Sequence, residues 1–223
     1  MALKILQIAR PGFYSFASKI IGMLETSGLA CERGGHRLFS DLSFALSAGN
    51  LLRVRGFNGS GKTTLLRTLA GLTRPAAGEV LWRGNAIGED YRKEMLFLGH
   101  AAGVKDDLTV LENLAFSARL SELKDNNFKN ALEQLGIARI ADLPARYLSQ
   151  GQCRRAALAR LALAQGVPLW LLDEPFAALD EEAIERVSAL CAAHLAAGGM
   201  LVLTSHQDIP IAARDARSIE LKG

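Results

Sequence analysis

The chain has 223 residues, 49% of them hydrophobic and 22% charged, with a formal net charge of +3. That is enough for one globular domain, or for one domain with an inserted lobe. So nearly balanced a charge leaves no nucleic-acid footprint, and no stretch approaches the roughly 20 continuous apolar residues that cross a bilayer. The three cysteines, Cys31, Cys153 and Cys191, are odd in number, far apart and without metal-ligand spacing. They argue against a disulfide framework and for a reducing compartment.

Residues 1–22, "MALKILQIARPGFYSFASKIIG", mix apolar residues with Lys4, Arg10 and Lys19, and Pro11 interrupts any single helix. They lack the small-residue cleavage site of a secretory signal. They read as a dispensable extension ahead of a start at Met23, with a membrane-surface amphipathic segment as the alternative. From Leu24 to Leu46 short strands alternate with turn residues, and "NLLRVRG" (50–56) is an apolar run ending in glycine, the mark of a buried strand. "KTTLLRTLAGL" predicts a helix closing near Gly71, "GEVLWRGN" a hairpin strand and "EMLFLGH" another strand. Residues 107–165 read almost wholly as helix and form a candidate inserted lobe. Alternation then resumes with "PLWLLD" (168–173) as a buried strand, "DEEAIERVSALCAAHLAA" as a helix with an acidic first turn, and "GMLVLTSH" as a further strand. Strands alternating with helices predict an α/β fold around a mostly parallel sheet covered on both faces.

Gly56-Phe57-Asn58-Gly59-Ser60-Gly61-Lys62-Thr63 satisfies every fixed position of G-x-x-x-x-G-K-[ST], with a strand before it and a helix after it. Its glycines permit backbone conformations that turn N–H groups onto a phosphate, and the following helix adds its positive end. Lys62 would reach the outer phosphates, Thr63 would ligate Mg²⁺, and Thr64 would contact the inner phosphate of a nucleotide such as ATP. The apolar run "PLWLL" ends in Asp173-Glu174, which puts two carboxylates where strands of an open α/β sheet present ligands. Asp173 suits a hard-oxygen Mg²⁺ ligand and Glu174 a general base for the attacking water. His206, at the end of "MLVLTSH", would lie on the same sheet edge and hydrogen-bond phosphate. His194 falls on a helix and reads as packing or solvated.

A second phosphate-binding grouping follows the lobe. In "YLSQGQCRR" (147–155), Ser149 and Gln152 form an S-x-x-Q capping box that starts a helix at Ser149. Gly151 lets an anion come close to the backbone, and Arg154 and Arg155 add positive charge. On the helical lobe this turn would be remote from the chain's own phosphate loop. A second copy turned about a two-fold axis would let each Ser149 close the other copy's nucleotide site.

"LSQGQ" resembles the LSGGQ signature of ATP-binding cassette proteins, with Gln150 in place of the first glycine. The family's other parts follow in order: Asp173-Glu174, an Ala178-Leu179-Asp180 that looks like the loop linking the two sites, and His206 at the switch position. The resemblance runs from Met23 to the C-terminus. It implies a P-loop NTPase core with an antiparallel β subdomain before it and a helical lobe inserted at about 107–165. It also implies hydrolysis of ATP with Mg²⁺ by a homodimer of ATPase subunits joined to integral membrane transporter subunits.

Two positions depart from the family pattern. Arg33 stands where an aromatic residue usually stacks on adenine, and its planar guanidinium would either stack there or remain solvated. Nine residues before Thr109, His100 and then Ala101 occupy the place of the expected glutamine, so His100 is the candidate to hydrogen-bond water or the metal instead. "LSQGQCRRAALARL", "PLWLLDEPFAALD" and "LGH" are most similar to ATP-binding subunits of haem exporters in cytochrome c maturation. That likeness implies a peripheral position on the cytoplasmic face of the bacterial inner membrane and an indirect link to a periplasmic haem chaperone. An importer ATPase for another cargo, a soluble cassette ATPase acting on nucleic acid and a regulatory subunit that does not hydrolyse ATP are the competing readings.

Overall fold

The computed structural model describes residues 23–222; the readings made for residues 1–22 fall outside them. Among the described residues, nine strands form two sheets. β1 (Leu24–Arg33), β2 (His36–Leu46), β4 (Ala77–Trp82) and β5 (Asn85–Ala86) make an antiparallel sheet in the order β2-β1-β4-β5. β3 (Asn50–Gly56), β6 (Met95–Leu98), β7 (Leu169–Leu172), β8 (Met200–Thr204) and β9 (Asp215–Leu221) make a parallel sheet in the order β6-β7-β8-β3-β9. The helices are α1 (Lys62–Leu69), α2 (Glu89–Lys93), α3 (Val110–Leu120), α4 (Phe128–Gln134), α5 (Gln150–Leu158), α6 (Arg160–Leu163) and α7 (Glu181–Ala196).

The period of two along the parallel strands separates two cores. Leu52, Val54, Leu169, Leu171, Met200 and Val202 face α1 and the antiparallel sheet. Leu51, Trp170, Leu172, Leu201 and Leu203 face α7 and the helices between β6 and β7. Strands covered on both faces must be apolar at nearly every position, and "LWLL" and "MLVLT" are. α3 packs against α4, α5 and α6. Thr109 starts α3 with a capping box to Glu112, which satisfies two otherwise orphaned groups at the helix start.

The structure differs from the sequence reading at three places. The helix expected to run through "GQCRRAALARLALAQ" is divided at Ala159 into α5 and α6. β9 was not anticipated, because "DARSIEL" is exposed or half-buried at all but its last residue and carries no apolar run; its place is set by backbone pairing with β3. α2, five residues long, is too short to show a helical period.

Candidate functional site

The strand order brings the chemistry to one edge. β6, β7, β8 and β3 are consecutive neighbours and all run the same way. Their C-terminal ends therefore lie side by side, carrying His100, Asp173-Glu174, His206 and Gly56 respectively. Outside the carboxyl ends of parallel strands is where open α/β sheets hold ligands.

The loop after β3 depends on its glycines. Gly56 has φ +145°, and a Cβ there would lie 2.4 Å from Ser60 Oγ and 2.7 Å from Leu221 O. Gly61 has φ +98° and is the N-cap of α1, with no side chain capping the helix start. The first N–H groups of α1 are thus left for a ligand, as an anion site at a helix N-terminus requires. Lys62 is buried, and its Nζ donates to the carbonyls of Gly56 (2.8 Å) and Phe57 (3.1 Å). The ammonium so closes the loop on itself and has a third proton to offer. The Ser60 hydroxyl is buried with no hydrogen-bond partner among the described residues. Phe57, Asn58, Gly59 and Thr63 are exposed and Thr64 is half-buried.

Asp173 is 1% exposed, and both its oxygens are spoken for. Thr63 Oγ1 donates to Oδ2 (2.8 Å) and Thr204 Oγ1 to Oδ1 (2.7 Å). A hydroxyl and a carboxylate in contact beside a phosphate loop are hard-oxygen donors, a set that fits Mg²⁺ completed by phosphate and water oxygens. No cluster of three or more His, Cys, Asp or Glu able to hold a metal exists among the described residues, and such a Mg²⁺ site needs none. Glu174 adopts φ +50°, and its N–H donates to Thr204 Oγ1 (2.8 Å). Its Oε1 is buried without a hydrogen-bond partner among the described residues, and His206 Nε2 stands 3.4 Å from it. His206 is exposed, at the free end of β8.

The helical segment adds the capping box expected from its sequence. Ser149 Oγ accepts from Gln152 N–H (3.2 Å) and Gln152 Oε1 from Ser149 N–H (2.9 Å). A Cβ on Gly151 would come within 2.9 Å of Ala178 O, so this glycine lets the start of α5 rest on the loop after Glu174. Gln150 is exposed, which explains how the first glycine of the usual signature can be replaced while the second is kept. Among the described residues no hydrogen bond joins Ser149–Gln152 to the phosphate loop.

Not every expectation survives in its original form. Arg154 does not offer its charge outward to an anion. It is buried, and its guanidinium donates to the carbonyls of Gly99, His100, Asp173 and Glu174. Burial lowers its pKa, opposed by the nearby Asp173 and Glu174 carboxylates. His100 is exposed, with its carbonyl held by Arg154. Arg33 is exposed at the tip of the β1–β2 hairpin, whose Leu38 and Phe39 pack on Gly61. His194 is fully buried. It stacks on Trp170 at 3.9 Å between ring centroids, with Nε2 3.1 Å from Met200 O.

Sequence reasoning missed Thr204. Its signal was a threonine two residues before the strand-end histidine, on a strand otherwise fully apolar.

A strand-framed phosphate loop, a buried aspartate beside its threonine and a glutamate–histidine pair on adjoining strand ends define a P-loop ATPase of the ATP-binding cassette type. The ABC transporter family matches residues 39–177. The chain is 48% identical over 204 residues to the cytochrome c biogenesis ATP-binding export protein CcmA of Dechloromonas aromatica, covering 89% of this chain and 100% of that one. Its namesake in Nitrosomonas europaea is 50% identical (85% and 91% covered), and that of Escherichia coli K12 46% (90% and 97%). Among solved structures, a putative ABC transporter ATP-binding protein from Pyrococcus furiosus superposes with a TM-score of 0.75 at 26% identity, covering 89% of this chain and 96% of that one. A dimeric ATP-binding cassette bound to ADP and Pi gives 0.71 at 24% identity, covering 83% and 88%. The chain belongs to the ABC transporter family, in its cytochrome c biogenesis branch; it binds and hydrolyses ATP and serves a transporter complex with membrane subunits. None of the helices among the described residues is long and apolar enough to cross a membrane.

Proposed function

We propose that this protein is the ATPase subunit of a transporter for cytochrome c maturation, coupling ATP hydrolysis to haem export or to release of a haem-loaded periplasmic chaperone. The name shared by relatives of nearly equal length supports the process, and the cluster of Lys62, Thr63, Asp173, Glu174, Thr204 and His206 supports the chemistry. The subunit sits peripherally on the cytoplasmic face of the inner membrane, and the lobe at 107–165 transmits force to the membrane partner.

Lys62 and the N–H groups of the loop from Gly56 to Gly61 hold the β- and γ-phosphates, Thr64 touches the inner phosphate, and Arg33 lies at the adenine end. Thr63 and Asp173 would hold Mg²⁺, with His100 as a further candidate, and the ion would offset charge on the phosphates. Glu174, at the end of β7 with its carboxylate 3.4 Å from His206, takes a proton from the attacking water. His206, beside Glu174, hydrogen-bonds the γ-phosphate and fixes the line of attack. Two copies are needed. Ser149, Gly151 and Gln152 lie on a turn that satisfies itself and is unconnected to its own phosphate loop, and they close the nucleotide of the opposing copy. Loss of the γ-phosphate removes those contacts and opens the dimer.

The test is purification from membranes with identification of the co-purifying subunits, and scoring of c-type cytochromes in a Lys62→Ala strain. Membrane partners of a haem exporter and a loss of holocytochrome c are expected. Normal cytochrome c in that strain, or partners that import another cargo, would refute the assignment.

A further inference from the structure

One guanidinium gathers the carbonyls at the ends of two neighbouring strands. Arg154 Nη1 donates to Gly99 O (3.2 Å) and His100 O (3.0 Å), just past β6. Its Nη2 donates to Asp173 O (2.8 Å) and Glu174 O (2.7 Å), just past β7. All four acceptors are backbone atoms, so the side chain fixes where the chain runs and makes no hydrogen bond to either carboxylate. Glu174 is where that matters most. Its φ of +50° is a left-handed conformation that strains any residue with a Cβ and persists only where the surroundings enforce it. Two clasps do so here. Thr204 Oγ1 takes the Glu174 N–H, and Arg154 takes its carbonyl. Arg154 lies on α5, whose first turn is seated on Ala178 O through Gly151, and Ala178 is itself left-handed at φ +61°. The loop from Glu174 to Ala178 is therefore pinned by α5 near both of its strained residues.

We propose that Arg154 is a positioning residue for hydrolysis: through the Glu174 carbonyl it holds the general base in its left-handed conformation beside His206. Through Gly99 and His100 it ties that base to the segment that follows β6. The inference rests on the reading of Glu174 as general base. A planar fork suits the task because it serves four fixed carbonyls at once. Lysine carries three protons on a single point and can reach only part of the set.

The test uses the full-length protein with Arg154→Lys and Arg154→Met. It compares kcat and KM for ATP turnover, equilibrium binding of a fluorescent ATP analogue, and the urea midpoint. Arg154→Met is expected to lose about 10- to 100-fold in kcat, the scale of a misplaced reacting group. Analogue affinity should stay within about threefold, since no phosphate contact is removed. Arg154→Lys should recover part of the rate. In a Glu174→Gln background the same change should add little, because the group it positions is already gone. Near-zero turnover in Glu174→Gln with undiminished kcat in both Arg154 variants would overturn this inference alone. So would rate and affinity falling together in step with the unfolded fraction, with Arg154→Lys deciding if Arg154→Met does not fold. Full activity of Glu174→Gln would overturn the general-base reading and this inference with it.

Discussion

The two helix starts proposed to meet phosphate, those of α1 and α5, begin in opposite ways. α1 starts from a left-handed glycine with no side-chain cap, leaving its first N–H groups unclaimed. α5 starts from Ser149, whose capping box with Gln152 satisfies the helix start from within. The first is a cradle finished only by a ligand. The second is complete alone and presents a hydroxyl that, while accepting from its own helix, can still donate outward. α3 shows that a capping box by itself is structural, since Thr109 and Glu112 build the same device away from the strand-end cluster. What sets the α5 turn apart is Gly151 lying against the loop that follows Glu174.

On the proposed function, the strand edge is the seat of bond breaking and the α5 turn a surface for another copy. The largest expected effect lies at the edge. Glu174→Gln should lower kcat by about 10²- to 10⁴-fold, the usual worth of a general base, while ATP affinity is retained. Steady-state turnover alongside equilibrium nucleotide binding measures both, and full turnover would reject the role.

Behind the same edge, His194 braces the strand that carries Asp173 and Glu174 by stacking on Trp170. Burial is the main cause that lowers its pKa to about 4, only partly opposed by the Met200 carbonyl. The unfolded chain, with His194 near 6.5, binds this proton more readily than the folded one. Stability from this group is therefore intact above about pH 6.5 and falls by about 3 kcal/mol as pH drops to about 4. Urea midpoints across that range test the trend. A His194 ring that titrates near 6.5 by NMR in the folded protein would contradict it.

Thr204→Val removes the donor to Asp173 and the acceptor of the Glu174 N–H. Leaving those buried groups unpaired should cost about 1–3 kcal/mol of stability and slow turnover, both read from urea melts and kcat. At the α5 turn the effects should be smaller and divided by position. Gly151→Ala drives a Cβ against Ala178 O and should lower kcat about tenfold. Gln150→Gly, at an exposed site, should change it by less than about twofold. Equal losses at both positions would erase the distinction drawn between them.

Much of this was legible in the sequence because it rests on short-range rules. The phosphate loop sits between a recognisable strand and helix, "LWLL" and "MLVLT" read as strands covered on both faces, and S-x-x-Q specifies its own hydrogen bonds. What escaped depends on contacts far apart in the chain. Arg154 reads as a charge for an anion, yet its direction is set by carbonyls 19 to 55 residues away. Thr204 reads as a strand residue until Asp173 is beside it. β9 is held by pairing with β3 and not by apolar pattern.

The proposed sharing of each nucleotide between two copies makes a direct demand on mixed assemblies. A Lys62→Ala copy keeps a sound Ser149 turn, and a Ser149→Arg copy keeps a sound phosphate loop. Co-expressed, the two should form complexes with one intact site and regain ATP turnover that neither variant shows alone. Mixed complexes, verified by differential tags, that stay as inactive as their parents would contradict a nucleotide shared between two copies.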